Sequence, residues 1–396
     1  MSDLLNAVST AVPAVALLTR GVSMEEQAER GYGHTLREIC RQPEAWRAIG
    51  TRFTERPSGA GASPDGWVLT GSGSSHFIGV ALAPTLQASL GVNVRAAASG
   101  ELLLTPEAYV TAGSAATIVS FGRSGQSPEC IGVIDLMLER HPLCRHIFVT
   151  CNPEGRLARG YQQDDRVSSF VLGREVDDKS LVMTSSFTGM WLAGRLLGWS
   201  SDASGFTRQS STLADIGRAV LLSRLEELAR VAREPYDQAV YLGSGPRFGA
   251  ALEAELKMLE MCGGRVRTRA ETYLGLRHGP MAGIGGRTLI VAFISSDERR
   301  RAYELDLLTE LQRKRLGLAF VVCGAALPDH AADECVLNVE YGECAGVGDD
   351  DLVAIDVLVG QTLGFFRCLH ERLKPDSPSE TDVISRVVPP FPMHPI

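Results

Sequence analysis

The chain has 396 residues, of which 44% are hydrophobic, 22% charged and 41 glycine, the make-up of a soluble α/β protein long enough for two domains. A net charge of −8 and the lack of any basic run argue against nucleic acid as a partner. The cysteines, Cys40, Cys130, Cys144, Cys151, Cys262, Cys323, Cys335, Cys344 and Cys368, form no C-x-x-C pair. They fit reduced thiols in a cytoplasmic protein rather than a disulfide framework or a zinc site.

From the N-terminus, Ala11 to Leu18 is mildly apolar but broken by Pro13 and too short to span a membrane, so no membrane partner is expected. Residues 23 to 50 read as helical, with Leu36, Ile39, Cys40 and Trp46 on an uneven apolar face and Pro43 breaking the run. A Gly-, Ser- and Pro-rich loop, Arg56 to Gly66, leads to a β-run from Trp67 to Thr70 and the turn Gly71-Ser-Gly-Ser-Ser75. The next β-run starts at Thr117 and empties into Ser120-Phe-Gly-Arg-Ser-Gly-Gln-Ser127, after which Pro128 and Glu129 open a helix. A third runs from His146 to Thr150.

The same order then recurs. Ala239 to Leu242 ends in Gly243-Ser-Gly245, followed by Thr288 to Phe293 and Leu318 to Val322. Gly71 and Thr117 are 46 positions apart, and Gly243 and Thr288 are 45. Matched strands at matched spacing predict a duplicated α/β fold, two similar βαβ units with parallel sheets. The linker is expected in the helical region around residues 200 to 235.

Two segments carry candidate chemistry. Hydroxyls and free backbone N–H groups at a helix start suit an anion, so the loop with Ser120, Ser124 and Ser127 reads either as a phosphate seat or as an ordinary βα turn. In the second half its counterpart is Ile294-Ser-Ser-Asp-Glu298, whose acids would repel a phosphate. Gly71-Ser-Gly-Ser-Ser-His76 has histidine where the dinucleotide fingerprint needs its third glycine, and no acid follows near residues 91 to 98. A nicotinamide cofactor is disfavoured, and Ser74 and Ser75 suit a second wall of a phosphate and sugar pocket.

The other segment runs from Gly249 to Pro280. Residues 250 to 262 read as a helix stopped by Gly263-Gly264, with Glu253, Lys257 and Glu260 on one face. That face is equally what a solvated salt-bridged helix would show. His278, between Arg277 and Gly279-Pro280, is either a surface histidine or an imidazole aimed by a rigid turn. Together a carboxylate and an imidazole are the groups needed to move a proton between adjacent carbons of a sugar phosphate.

With Leu181-Val-Met-Thr-Ser-Ser-Phe-Thr188, Glu255-Leu-Lys-Met-Leu-Glu260 and Arg277-His-Gly-Pro280 added to the two serine-bearing turns, the chain resembles the SIS (sugar isomerase) family. More narrowly it is similar to the galactosamine-6-phosphate deaminase/isomerase branch, also labelled tagatose-6-phosphate ketose/aldose isomerase. Leu36 to Trp46, Pro375 to Ser379 and Arg386-Val-Val388 fit the same branch. The resemblance implies two SIS domains, each a parallel sheet flanked by helices in a flavodoxin-like three-layer sandwich. It divides the chain into a helical segment over 1–55, domains over 56–205 and 215–374, and a tail over 375–396.

The resemblance also implies roles. Ser75, Ser124 and Ser127 would bind phosphate or sugar hydroxyls, lined by Gly122 and Arg123, with Thr184 and Ser185 bordering the sugar. Glu260 would shuttle the proton, Lys257 would keep it ionised, and His278 would open the ring, reaching into the partner subunit of a homodimer. No cofactor or metal is implied. Met281 stands where the branch leads one to expect lysine, His34 and His76 where smaller residues are expected, and Arg386 where the related synthase half has lysine. The implied ligand is an amino-hexose 6-phosphate. Isomerisation without deamination, and a non-catalytic sugar-phosphate sensor, are the competing readings.

Overall fold

The computed structural model describes residues 3–53, 63–199, 203–327, 336–342, 347–381 and 383–394. Its helices are α1 (Asp3–Ala11), α2 (Pro13–Thr19), α3 (Met24–Glu29), α4 (Gly33–Arg52), α5 (Ser74–Leu90), α6 (Ser99–Leu104), α7 (Pro128–Arg140), α8 (Arg156–Arg159), α9 (Ser185–Leu197), α10 (Ala203–Ser223), α11 (Leu225–Val231), α12 (Pro246–Met261), α13 (Tyr273–Leu276), α14 (Glu298–Arg313) and α15 (Asp349–His370). The strands are β1 (Trp67–Gly71), β2 (Val94–Ala98), β3 (Thr117–Gly122), β4 (Arg145–Thr150), β5 (Val167–Val171), β6 (Gln238–Leu242), β7 (Arg267–Glu271), β8 (Thr288–Phe293), β9 (Ala319–Gly324) and β10 (Val336–Glu340).

Two parallel five-stranded sheets result, ordered β2-β1-β3-β4-β5 and β10-β9-β8-β6-β7. Read from the other edge, the second is β7-β6-β8-β9-β10, the same order as the first. The duplicated parallel α/β fold is therefore present, in the flavodoxin-like order that reverses direction between its first and third strands. Central strands such as β1, β3 and β8 are buried at every position, as expected of strands covered on both faces.

The chain forms two compact units. A serine-loop unit (Ala45–Asp178, Ser185–Ser211, Ile384–Ile396) holds the first sheet, and a glutamate unit (Met1–Glu44, Lys179–Thr184, Thr212–Val383) holds the second. In the glutamate unit, Val240, Leu242, Ile290, Ala292, Leu307, Leu311 and Phe320 form one face of the core. Helix α15 is apolar and long enough to cross a membrane, but it is a core helix here, buried along nearly its whole length. It packs tightly on α12, because an added Cβ at Gly360 would lie 2.4 Å from the Ala254 methyl.

One expectation fails. Pro43 does not break the helix: α4 runs through it from Gly33 to Arg52. Proline removes the N–H that would reach the Ile39 carbonyl, and the Gln42 side chain replaces it, with Nε2 donating to Ile39 O at 3.2 Å. The same amide group donates to Gln361 Oε1 at 2.7 Å, and α4 starts under a cap, where Asp376 accepts from His34 N (3.1 Å), Thr35 N (2.7 Å) and Thr35 Oγ1 (2.8 Å). Side-chain bonds thus supply what the local sequence lacks. The seven described cysteines are buried and form no disulfide among the described residues, while Cys335, Cys344 and residues 56–62 of the predicted loop lie outside the described residues.

Candidate active site

In the serine-loop unit, β1 and β3 pair in parallel with Thr70 opposite Ser120. The sheet order reverses between them, which is where doubly wound folds open a crevice at the strands' carboxyl ends. Ser74 and Ser75 start α5 there and are buried, with Ser75 N donating to Ser72 O at 3.1 Å. The Ser72 and Ser120 hydroxyls are buried without a hydrogen-bond partner.

From the end of β3, buried Gly122 leads into the serine loop. Gly125 turns it with φ of +64°, a conformation that suits glycine. Asn152 Nδ2 donates to Ser124 O at 3.0 Å, and Ser124 Oγ accepts from Gln126 N at 3.2 Å. Ser127 is the N-cap residue of α7, yet its hydroxyl makes no capping bond, and Pro128 takes the first helical position. The open first turn of a 13-residue helix, with two nearby serine hydroxyls, is an arrangement that receives an anion.

Arg123 is 7% exposed and donates from Nη2 to the Arg386 carbonyl at 2.7 Å. Burial draws its pKa below the ordinary arginine value, against the opposing field of Asp178. Arg386 in turn donates to Asp178 O from Nε (2.9 Å) and Nη2 (2.6 Å) and pairs with Asp177 at 2.7 Å. Ser185 is buried, and its hydroxyl donates to Asp178 Oδ1 at 2.5 Å. Ser186 N reaches Asp178 Oδ2 at 2.9 Å. The start of α9 is therefore sealed by an internal carboxylate. Sequence reasoning missed Asp178, since nothing local ties it to serines seven and eight residues later.

In the glutamate unit, α12 carries Glu253, Lys257 and Glu260. The Lys257 ammonium lies 2.5 Å from Glu260 Oε2 and 3.4 Å from Glu253 Oε1. The side chains of Lys257 and Glu253 are 1% and 0% exposed, and that of Glu260 is 23% exposed. This is not a solvated face. Burial opposes the charge on Lys257, but the two carboxylates outweigh it and hold its pKa above the ordinary lysine value. The lysine stays cationic and presents Glu260 with a fixed counter-charge.

His278 is exposed. Its backbone N donates to Gly275 O at 2.9 Å, and Arg277 ties the loop to α14 through Glu310 at 2.8 Å. The structure thus joins Lys257 to Glu260, and Arg123 to Arg386, while no hydrogen bond or ion pair links the His278 ring to Glu260 among the described residues. Thr184, also in this unit, is buried, and its carbonyl accepts from Gln361 Nε2 at 3.2 Å. At Met281, the Lys314 ammonium reaches Sδ at 3.5 Å. Among the described residues no group of three or more His, Cys, Asp or Glu is placed to hold a metal ion.

No family model matches the chain. Over 382 residues it is 30% identical to the D-galactosamine-6-phosphate deaminase AgaS of Shewanella sp. (strain ANA-3), covering 93% of each chain. It is 31% identical over 341 residues to the D-galactosamine-6-phosphate deaminase AgaS of Escherichia coli, covering 83% of this chain and 85% of the relative. The solved tagatose-6-phosphate ketose/aldose isomerase from Escherichia coli superposes with a TM-score of 0.82 at 29% identity, covering 91% of this chain and 96% of that one. The duplicated sheets, the turns at their carboxyl ends and these relatives agree: the chain belongs to the SIS (sugar isomerase) family, in its AgaS branch, and is an enzyme of the sugar-phosphate isomerase class.

Proposed function

We infer that the protein converts D-galactosamine 6-phosphate and water to D-tagatose 6-phosphate and ammonia. The observation that carries this reading is the open start of α7, where the Ser127 hydroxyl is not spent on a cap. It is supported by relatives that bear the deaminase name over nearly the full chain. In this reading Ser124, Ser127 and the first N–H groups of α7 hold the phosphate, with Ser74 and Ser75 on the adjoining turn.

The chemistry assigned to the other residues is acid–base. His278 takes the proton of the anomeric hydroxyl and returns one to the ring oxygen, opening the sugar. Glu260 removes the proton from C2, giving an enolamine, and delivers it to C1, giving the imine of the ketose. Water adds at C2 and ammonia leaves. Lys257 presents its ammonium to the Glu260 carboxylate as a fixed counter-charge, 2.5 Å away. Thr184 and Ser185 act here as buried supports of the wall, and Arg386 as an anchor of the loop. We further assign the protein to the cytoplasm as a homodimer or larger homo-oligomer, with His278 serving the partner subunit's site.

Ammonia release from galactosamine 6-phosphate and from glucosamine 6-phosphate tests the reading, with Glu260→Gln as control. The galacto sugar should release ammonia, and the substitution should lower kcat by about a hundred- to ten-thousandfold, the range of lost general acid–base catalysis. No ammonia from either sugar, with tagatose 6-phosphate isomerised instead, would replace deamination by plain ketose–aldose interconversion, the activity in the name of the superposed Escherichia coli isomerase.

A further inference from the structure

The end of the chain touches both parts of the proposed phosphate seat. Arg123, in the serine loop, donates to the carbonyl of Arg386 at 2.7 Å. Arg386 is itself fixed by Asp177 and by the Asp178 carbonyl. Seven residues further on, Met393 lies against α7, whose first turn forms the seat. A Cβ at Gly132 would fall 3.1 Å from Met393 Sδ and 3.3 Å from its Cε, so the missing side chain leaves the space that Met393 fills. Val387 and Val388, between these anchors, are 37% and 45% exposed, and Phe391 and Met393 at the far end are 41% and 44% exposed. A cavity of about 520 Å³ lined by Leu104, Leu136, Phe391 and Met393 runs beside the contact. The tail therefore contributes little to the core and is held at two points.

We propose that residues 386–394 are a tether that sets the conformation of the serine loop, with Arg123 and Arg386 as positioning residues and Met393 on Gly132 as the anchor. The proposal rests on the reading of that loop as a phosphate seat. A loop of glycine and serine has many conformations to lose when it closes on a ligand, and ordering it beforehand removes that cost from binding. Arg123 is the natural handle, because its guanidinium is turned to the tail carbonyl and its own carbonyl accepts from Cys151 N at 3.3 Å. One residue is thus clamped from the tail and from the end of β4.

The test uses the full chain with Met393→Asp, Gly132→Leu and the conservative Met393→Leu. Hydrogen exchange is read at the amides of residues 124–127 without ligand, and KM and kcat are read with galactosamine 6-phosphate. The tether predicts that Met393→Asp and Gly132→Leu speed loop exchange about tenfold and raise KM about tenfold with kcat changed less than about twofold. Met393→Leu should behave as the parent. Unchanged loop exchange in both disruptive variants overturns the tether, as does a loss of kcat at constant KM. If the parent binds neither inorganic phosphate nor the sugar phosphate, the phosphate reading fails instead, and the exchange rates alone still decide whether the tail orders the loop.

Discussion

The two halves of the duplication meet the same problem, serine-bearing turns at the ends of parallel strands, and solve it differently. After β3 the Ser127 hydroxyl caps nothing; the Ser120 hydroxyl within β3 and the Ser72 hydroxyl on the turn after β1 are buried without partners. After β8 the donors of Ser295 and Ser296 are spent. Ser295 Oγ donates to Asp349 Oδ2, and Ser296 N and Oγ reach Asp349 Oδ1 at 2.8 and 3.0 Å. Asp297 caps α14 at Arg300 N, 2.9 Å away. Beneath them Arg247 is 1% exposed and holds Asp356 at 2.7 and 2.6 Å while donating to the carbonyls of Ile294 and Cys323. A carboxylate of the chain itself sits where an external anion would bind. One copy leaves these hydroxyls without a partner in the chain, and the other has turned its own into structure.

Removing Arg247 should break the filled copy most severely. Arg247→Ala leaves Asp356 buried and uncompensated, and loss of one partner of a buried pair costs about 3–5 kcal/mol. Urea denaturation should show that loss; a change below about 1 kcal/mol would mean the network is not holding the second sheet.

A second contrast lies inside the sheets. His146 faces Ile118 on β4, and Phe320 faces Ile290 at the equivalent place on β9. Burial, with Arg166 adding to it, pushes the His146 pKa down to about 4. The folded state therefore binds fewer protons than the unfolded chain between the ordinary histidine pKa near 6.5 and about 4. Stability is lost as pH falls through that window, by about 3 kcal/mol in total. His146→Phe should flatten this part of the stability–pH curve. An unchanged slope between pH 6.5 and 4.5 would show that other groups carry it.

The serine loops themselves give the sharpest comparison of function. Ser127→Ala should reduce kcat/KM by roughly ten- to a hundredfold, the worth of a hydrogen bond to a charged group. Ser296→Ala should leave kcat/KM alone and cost about 1 kcal/mol of stability. The reverse pattern would assign the seat to the wrong copy. The smallest expected effect belongs to Asp349→Asn. It removes the resident charge, destabilises by about 1 kcal/mol, and should make the variant more responsive than the parent to stabilisation by sulfate in thermal melts. Equal responses would show that the donors of Ser295 and Ser296 do not form an anion seat.

Much of this was legible in the sequence. The six apolar runs the spacing picked out are all central or next-to-central strands, where covering on both faces demands continuous hydrophobicity. The strands that escaped notice are β2, β5, β7 and β10, the outer strands of each sheet. β7 reads Arg-Thr-Arg-Ala-Glu and is only partly buried, so it lacks the apolar run that marks a buried strand. Duplication was visible because the intervals between turns matched.

The electrostatic partners were not visible. Asp297 and Glu298 suggested that the second loop rejects phosphate by repulsion, whereas Asp297 serves as a helix cap and Asp349, some 50 residues on, occupies the donors. The helix face of Glu253, Lys257 and Glu260 had the spacing of an exposed ion-pair ladder. Only the close approach of α15 at Gly360 and Gly364 shows why Lys257 is buried. Spacing along the chain reports which residues share an element, and it is silent about what packs against them.

The most direct measurement is a calorimetric titration of galactosamine 6-phosphate into Glu260→Gln, which should bind substrate without consuming it. The account predicts one site per chain, weakened by Ser127→Ala and untouched by Ser296→Ala. Two sites per chain, no binding at all, or a site that depends on Ser296 and ignores Ser127 would contradict it.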